Sequence, residues 1–161
     1  VKVLKICDQI NNELTQVQKI VVLIRLIEFI NSNESISEQE HDFVRTVQES
    51  FNISSTECDT VMNFVHEKDT GLLDSSTTLI ISGDHTHKPA KHKHIYAEGL
   101  SGDVRVLWVP SVNIYALLYW GDSELYLNGH FVSKGKIYIL NPGSSFRSSK
   151  VKPVYYSDIL S

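Results

Sequence analysis

The sequence predicts an α+β protein: an all-α helical unit over residues 1–69, followed by a small antiparallel β-sandwich or barrel over residues 70–161. Three observations lead there. All 8 Gly, all 4 Pro, all 7 Tyr and both Trp fall after residue 69, so the first unit lacks the residues that most strongly break helices. Before that boundary apolar residues recur at helical spacing; after it, short β-branched and aromatic runs alternate with turn residues. No regular alternation of strand and helix follows, so a parallel nucleotide-binding sheet is not expected.

Taken in order, the helical pattern is clearest at Leu14, Val17, Val21, Ile24 and Ile27, with Gln18, Arg25 and Glu28 as a narrow polar stripe. Between Ile20 and Ile30 only Arg25 and Glu28 are polar, which predicts a helix buried on most sides. It is too short and too charged for the ~20 apolar residues of a bilayer span. A third helix starts at Ser37, where Ser37 and Glu40 have capping-box spacing, and its apolar face is Phe43, Val44, Val47 and Phe51. Ser54 and Glu57 repeat the pattern before Cys58, Val61, Met62 and Val65, which makes Cys58 a small core residue rather than a reactive thiol. Strands are predicted at Thr77–Ser82, His94–Ala97, Val104–Val109, Ile114–Tyr119, Glu124–Leu127 and Lys136–Leu140. Asn128–Gly129, between Leu125–Leu127 and Phe131–Val132, marks a hairpin, because a type I′ turn needs φ > 0 at both positions.

Charge and composition narrow the function. The formal net charge of -4 argues against a protein built around nucleic-acid phosphates. It divides unevenly: residues 1–69 hold 6 Lys/Arg against 12 Asp/Glu, residues 70–161 hold 9 against 7. Cys7 and Cys58 are too few for a disulfide framework and too far apart for a clustered zinc site, so a reducing compartment is expected. The chain begins with Val and carries neither a secretory leader pattern nor a long apolar span, which reads as a piece of something larger.

Four histidines, His85, His87, His92 and His94, follow Asp84, and two His-x-His pairs on paired strands could turn imidazoles to one face for zinc, copper or nickel. Lys88, Lys91, Lys93 and Pro89 favour a solvated turn there instead. Glu34, Glu38, Glu40 and Asp42 crowd the entry to the third helix, where acids offset the helix dipole; an EF-hand match fails at Ile36 and Asp42. Gly129–Lys136 misses the P-loop pattern, since five residues separate Gly129 from Gly135 and Ile137 follows the lysine. No nucleophile elbow or other catalytic set is found, so no catalytic residue is assigned. In Gly143–Arg147 a polar turn delivers Arg147 beside Phe146, suited to a bidentate contact with a carboxylate or phosphate. Arg147, Tyr155 and Tyr156 are the candidate interaction residues, with the competing reading that one of the two tyrosine rings faces the core and the other faces out.

Residues Ile30–Val44 followed by Phe51–Cys58 resemble the helix-loop-helix of TerB-like (tellurite-resistance) domains, in which an acidic loop precedes a Ser-x-x-Glu helix start. Asn33–Glu34 stands where that loop usually has Asp-Gly. Ser82-Gly-Asp-His85 and Asn128–Gly129 resemble pieces of the forkhead-associated pattern, without the upstream Gly-Arg pair that would supply its phosphate ligand. Leu125–Val132, Gly135–Arg147 and Lys152–Ile159 resemble the segment that precedes the ATP-binding cassette of large Bacteroidetes-type ABC-transporter proteins. That resemblance implies a non-catalytic regulatory or interaction region on the cytoplasmic side of the inner membrane, docking to the downstream ATPase or another protein. ATP and Mg would belong to that ATPase, and membrane contact to the parent chain. The alternative is a divalent-metal or ligand-sensing module using His85–His94 or the acidic loop Glu34–Asp42.

Overall fold

The computed structural model describes residues 2–32, 35–84 and 92–161, and it has the α+β organisation read from the sequence. The chain divides into two compact units, Val1–Lys68 and Asp69–Ser161. The first contains α1 (Lys2–Glu13), α2 (Gln16–Asn31), α3 (Glu38–Ser50) and α4 (Ser55–His66), with no strand among its described residues.

Each of the last three helices opens on a side-chain cap, which satisfies amide groups that have no partner inside the helix. Ser37 and Glu40 form the full capping box: the Glu40 amide donates to Ser37 Oγ at 3.1 Å and the Ser37 amide to Glu40 Oε1 at 3.0 Å. At α4 the Glu57 amide donates to Ser54 Oγ at 3.1 Å. Thr15 and Gln18 make a third such device, which the sequence reading passed over. The buried face of α2 also differs from the expected stripe. Ile20, Leu23, Ile24, Ile27 and Ile30 are buried, whereas Leu14 precedes the helix and Val17 is exposed. The expected stripe took Leu14 and Val17 as helical core residues, but the Thr15 cap starts the helix after Leu14, and Val17 sits exposed in its first turn. Cys58 is fully buried, and that burial pushes its thiol above the ordinary range.

The second unit contains β1 (Thr78–Ser82), β2 (Lys93–Tyr96), β3 (Asp103–Val109), β4 (Ile114–Trp120), β5 (Tyr126–Leu127), β6 (His130–Phe131), β7 (Ile137–Ile139), β8 (Ser145–Arg147), β9 (Val154–Tyr155) and the short α5 (Tyr156–Leu160). They build two open sheets, ordered β2-β1-β3-β4-β7 and β6-β5-β8-β9. Neither closes into a barrel. Both contribute to one core: Leu79, Ile81, Val106 and Leu117 of the first sheet pack in the same cluster as Leu127, Phe146 and Val154 of the second. Burying a side chain of this size contributes about 1.5–3 kcal/mol, so this cluster accounts for the unit's cohesion.

All pairings are antiparallel except one. β1 and β2 run parallel, with Leu79 opposite Lys93 and Ser82 opposite Tyr96. A wholly antiparallel arrangement was expected, and the difference has a simple cause: alternation identifies a strand but carries no information on its direction. The Asn128–Gly129 hairpin forms as expected, with φ of 52° and 82° at the two positions and Leu127 paired to His130.

Candidate functional site

The four-stranded sheet turns alternate residues inward and outward. Leu127, Phe146 and Val154 point to the core, which leaves their neighbours on the opposite face. Register then assembles a site from residues far apart in sequence. Tyr126 pairs with Phe131 on one side and with Arg147 on the other, and Ser145 pairs with Tyr155. Phe131 is 60% exposed, Tyr155 is 49% exposed and Arg147 is exposed, so three aromatic rings and one guanidinium share an open surface. The Tyr126 and Phe131 rings meet edge to face, with centroids 6.0 Å apart.

Local hydrogen bonds hold this face. Asn128 Oδ1 accepts from the Ser145 amide at 3.0 Å and its Nδ2 donates to Ser144 Oγ at 3.3 Å, tying the hairpin tip to the start of β8. Tyr126 donates its hydroxyl to Glu124 Oε1, and that hydrogen bond pushes the phenol pKa up. Arg147 Nη2 donates to Ser145 Oγ at 3.3 Å. A shallow depression of about 430 Å³ lies here, bordered by Tyr126, Asn128, Ser145, Arg147 and Ser148. Arg147, Lys150 and Lys152 bring three cations to residues 147–152, while the flanking carboxylates are engaged, Glu124 by the Tyr126 hydroxyl and Asp158 by the Tyr155 amide. The surface is therefore one that attracts an acidic group and offers aromatic area beside it.

Arg147 is placed differently from the expectation. The turn is Asn141–Ser144, closed by the Ser144 amide on the Asn141 carbonyl at 2.9 Å, and Arg147 ends the strand that follows it. The tyrosines divide as the competing reading had it. Tyr155 is exposed, while Tyr156 packs against the core and meets Tyr115 edge to face at 5.6 Å. Tyr126 and Phe131 were missed, although the Asn128–Gly129 turn already implied that they pair across the hairpin.

His92 and His94, the two described histidines of the cluster, make separate contacts. His85 and His87 lie outside the described residues, as does Glu34. His92 is buried, and its Nε2 donates to the Leu73 carbonyl at 2.8 Å. His94 Nε2 lies 2.7 Å from Ser82 Oγ. Glu40 serves the α3 cap, and among the described residues no group of three or more His, Cys, Asp or Glu side chains is arranged to hold a metal ion.

No known protein family, curated protein or solved structure matches this chain. The Arg147 face is thus read from its own chemistry. Arg105, a second arginine of the unit, is buried at 3% exposure with its Nε donating to Asp103 Oδ1 at 2.8 Å, which makes it part of the first sheet's framework.

Proposed function

We propose that this chain is a non-catalytic interaction region that docks a protein partner through the outer face of the second sheet. One observation carries the reading: strand register lines up Phe131, Tyr126 and Arg147 in adjacent strands, with Tyr155 next to them, on an exposed surface. Aromatic residues and arginine are the types that dominate binding energy when a partner excludes water from them. The exposed Arg147 guanidinium, with Lys150 and Lys152 along the same segment, favours a partner that presents an Asp or Glu side chain.

The sequence resemblance supplies the occupant: the ATP-binding cassette that follows such segments in ABC-transporter proteins. In that setting the region sits on the cytoplasmic side of the inner membrane and relays or restrains the ATPase, which holds the ATP and Mg. Among the described residues no helix is long and apolar enough to cross a membrane, so membrane attachment in this reading comes from the parent protein.

The test is binding of the parent protein's ATPase region, added separately, to wild type, Arg147→Ala, Tyr155→Ala and Tyr156→Ala. Loss of about 1 kcal/mol or more on each of the first two truncations, with the fold intact, supports docking through this face. Tyr156→Ala serves as the contrast, because its ring packs inward and its loss acts on stability. Unchanged affinity for both Arg147→Ala and Tyr155→Ala ends the proposal.

A further inference from the structure

A second depression on the β unit, about 140 Å³, shares no residue with the Arg147 face. It forms where the parallel pairing of β1 and β2 brings Lys93 beside Leu79, and where Leu79 pairs with Val106 on the next strand. Leu79, Val106 and Ile159 line it with apolar surface. Trp108 and Tyr115, a cross-strand pair, add two aromatic walls. Residues Ser75, Ser76, Thr77 and Thr78 complete the rim.

Among the described residues, Lys93 is the one charged residue lining this cleft. Its Nζ donates to the Ile159 carbonyl at 3.2 Å, and among the described residues no carboxylate forms an ion pair with it. Asp74, the nearby acid of the preceding turn, is engaged locally: its Oδ1 accepts from the Ser76 amide at 2.9 Å and from Ser76 Oγ at 2.8 Å. The Ser76 bonds, with the buried Thr77 hydroxyl turned to the same carboxylate, hold the Asp74 pKa below its ordinary value. An apolar, aromatic-walled cleft thus carries one ammonium with bonding capacity left over.

We infer that this cleft binds a small aromatic carboxylate. The volume suits a single ring, since a dry apolar cavity of about 150 Å³ takes up benzene. The charge suits a monoanion, because one ammonium faces the apolar space and a doubly charged phosphoryl group would lack a second cation. The ring lies against Leu79, Val106 and Ile159 between the aromatic walls, and the carboxylate meets Lys93 Nζ. Because Lys93 also holds the Ile159 carbonyl, occupancy is communicated to α5. None of this depends on docking at Arg147.

The experiment is a titration of the 161-residue chain with sodium benzoate, read at the Trp108 indole N–H and at the Leu79 and Lys93 amides by NMR. Benzyl alcohol and benzylamine serve as neutral and cationic probes of the same size. The expected result is a saturable benzoate shift at these three positions, with benzyl alcohol at least tenfold weaker and benzylamine without effect. Lys93→Met, which keeps the apolar stem, weakens benzoate at least tenfold with the fold intact by its amide spectrum; Lys93→Arg restores most of the affinity. Failure of benzoate to saturate overturns the inference. So does equal affinity for benzyl alcohol, or a Lys93→Met chain that binds benzoate as wild type does.

Discussion

Gly129 and Gly102 both hold positive φ, at 82° and 70°, yet they stand in different surroundings. A Cβ at Gly129 meets no atom within 4 Å, so Gly129→Ala costs only the backbone preference, about 1 kcal/mol. At Gly102 the same atom overlaps the Trp120 carbonyl and lies 2.6 Å from Gly121 Cα, which forces main chain to move. Urea denaturation should show a Gly102→Ala loss several times that of Gly129→Ala. Cys58 supplies a pH dependence. Its folded-state pKa is raised by burial, so the stability held by the neutral thiol is full below the ordinary value of 9.0 and is lost as pH rises through the higher folded value. Stability measured against pH should therefore fall more steeply above 9.0 in wild type than in Cys58→Ala. At this scale Arg147 could be singled out in the sequence by its type. Its ring of neighbours could not, because Phe131 and Tyr155 reach it only through strand register.

Elements with strong local punctuation were the legible ones. The Ser37–Glu40 box stands in the structure as its spacing implied, and Ser37→Ala should lower stability by about 1 kcal/mol in thermal or urea melts while α3 stays helical by circular dichroism. Strands β1, β3 and β4 lie within a residue of their expected bounds, since each has five or seven residues with a marked apolar pattern. β8 and β9 were not read as strands. They have three and two residues, too short for alternation to register, and they owe their conformation to pairing with β5 and with each other. α5 was missed for a related reason: five residues hold no helical period, and its opening is set by the Tyr155 amide donating to Asp158 Oδ2 at 2.9 Å.

For the whole molecule, the boundary between the units follows the change in Gly, Pro and Tyr usage, and the physical reason is that the two classes of structure need opposite turn chemistry. The nucleotide question also belongs at this scale. A phosphate cradle needs free backbone amides on a Gly-rich loop leading into a helix. Here Gly135 donates its amide to the Tyr119 carbonyl at 3.0 Å, and the Trp120 ring would stand 3.0 Å from a Cβ placed on it. Titration of the chain with ATP and Mg should leave the amide spectrum unchanged, and a shift confined to Gly129–Ile137 would show that this loop does bind nucleotide.

The parallel pairing of β2 also sets an order of events in time. β3 and β4 are joined across the Pro110–Asn113 turn and zip over seven residue pairs, from Val109–Ile114 to Asp103–Trp120. Such local pairing closes quickly, whereas β2 pairs in parallel with β1 and needs a crossover connection to do so. β2 is also an outermost strand with a largely solvated ribbon of four residues. Its amides should therefore exchange with deuterium ahead of those of β3 and β4, as a small unit that opens while the rest stays folded. Each opening releases Lys93 from the Ile159 carbonyl, so this edge strand also governs how often that tie to α5 is let go.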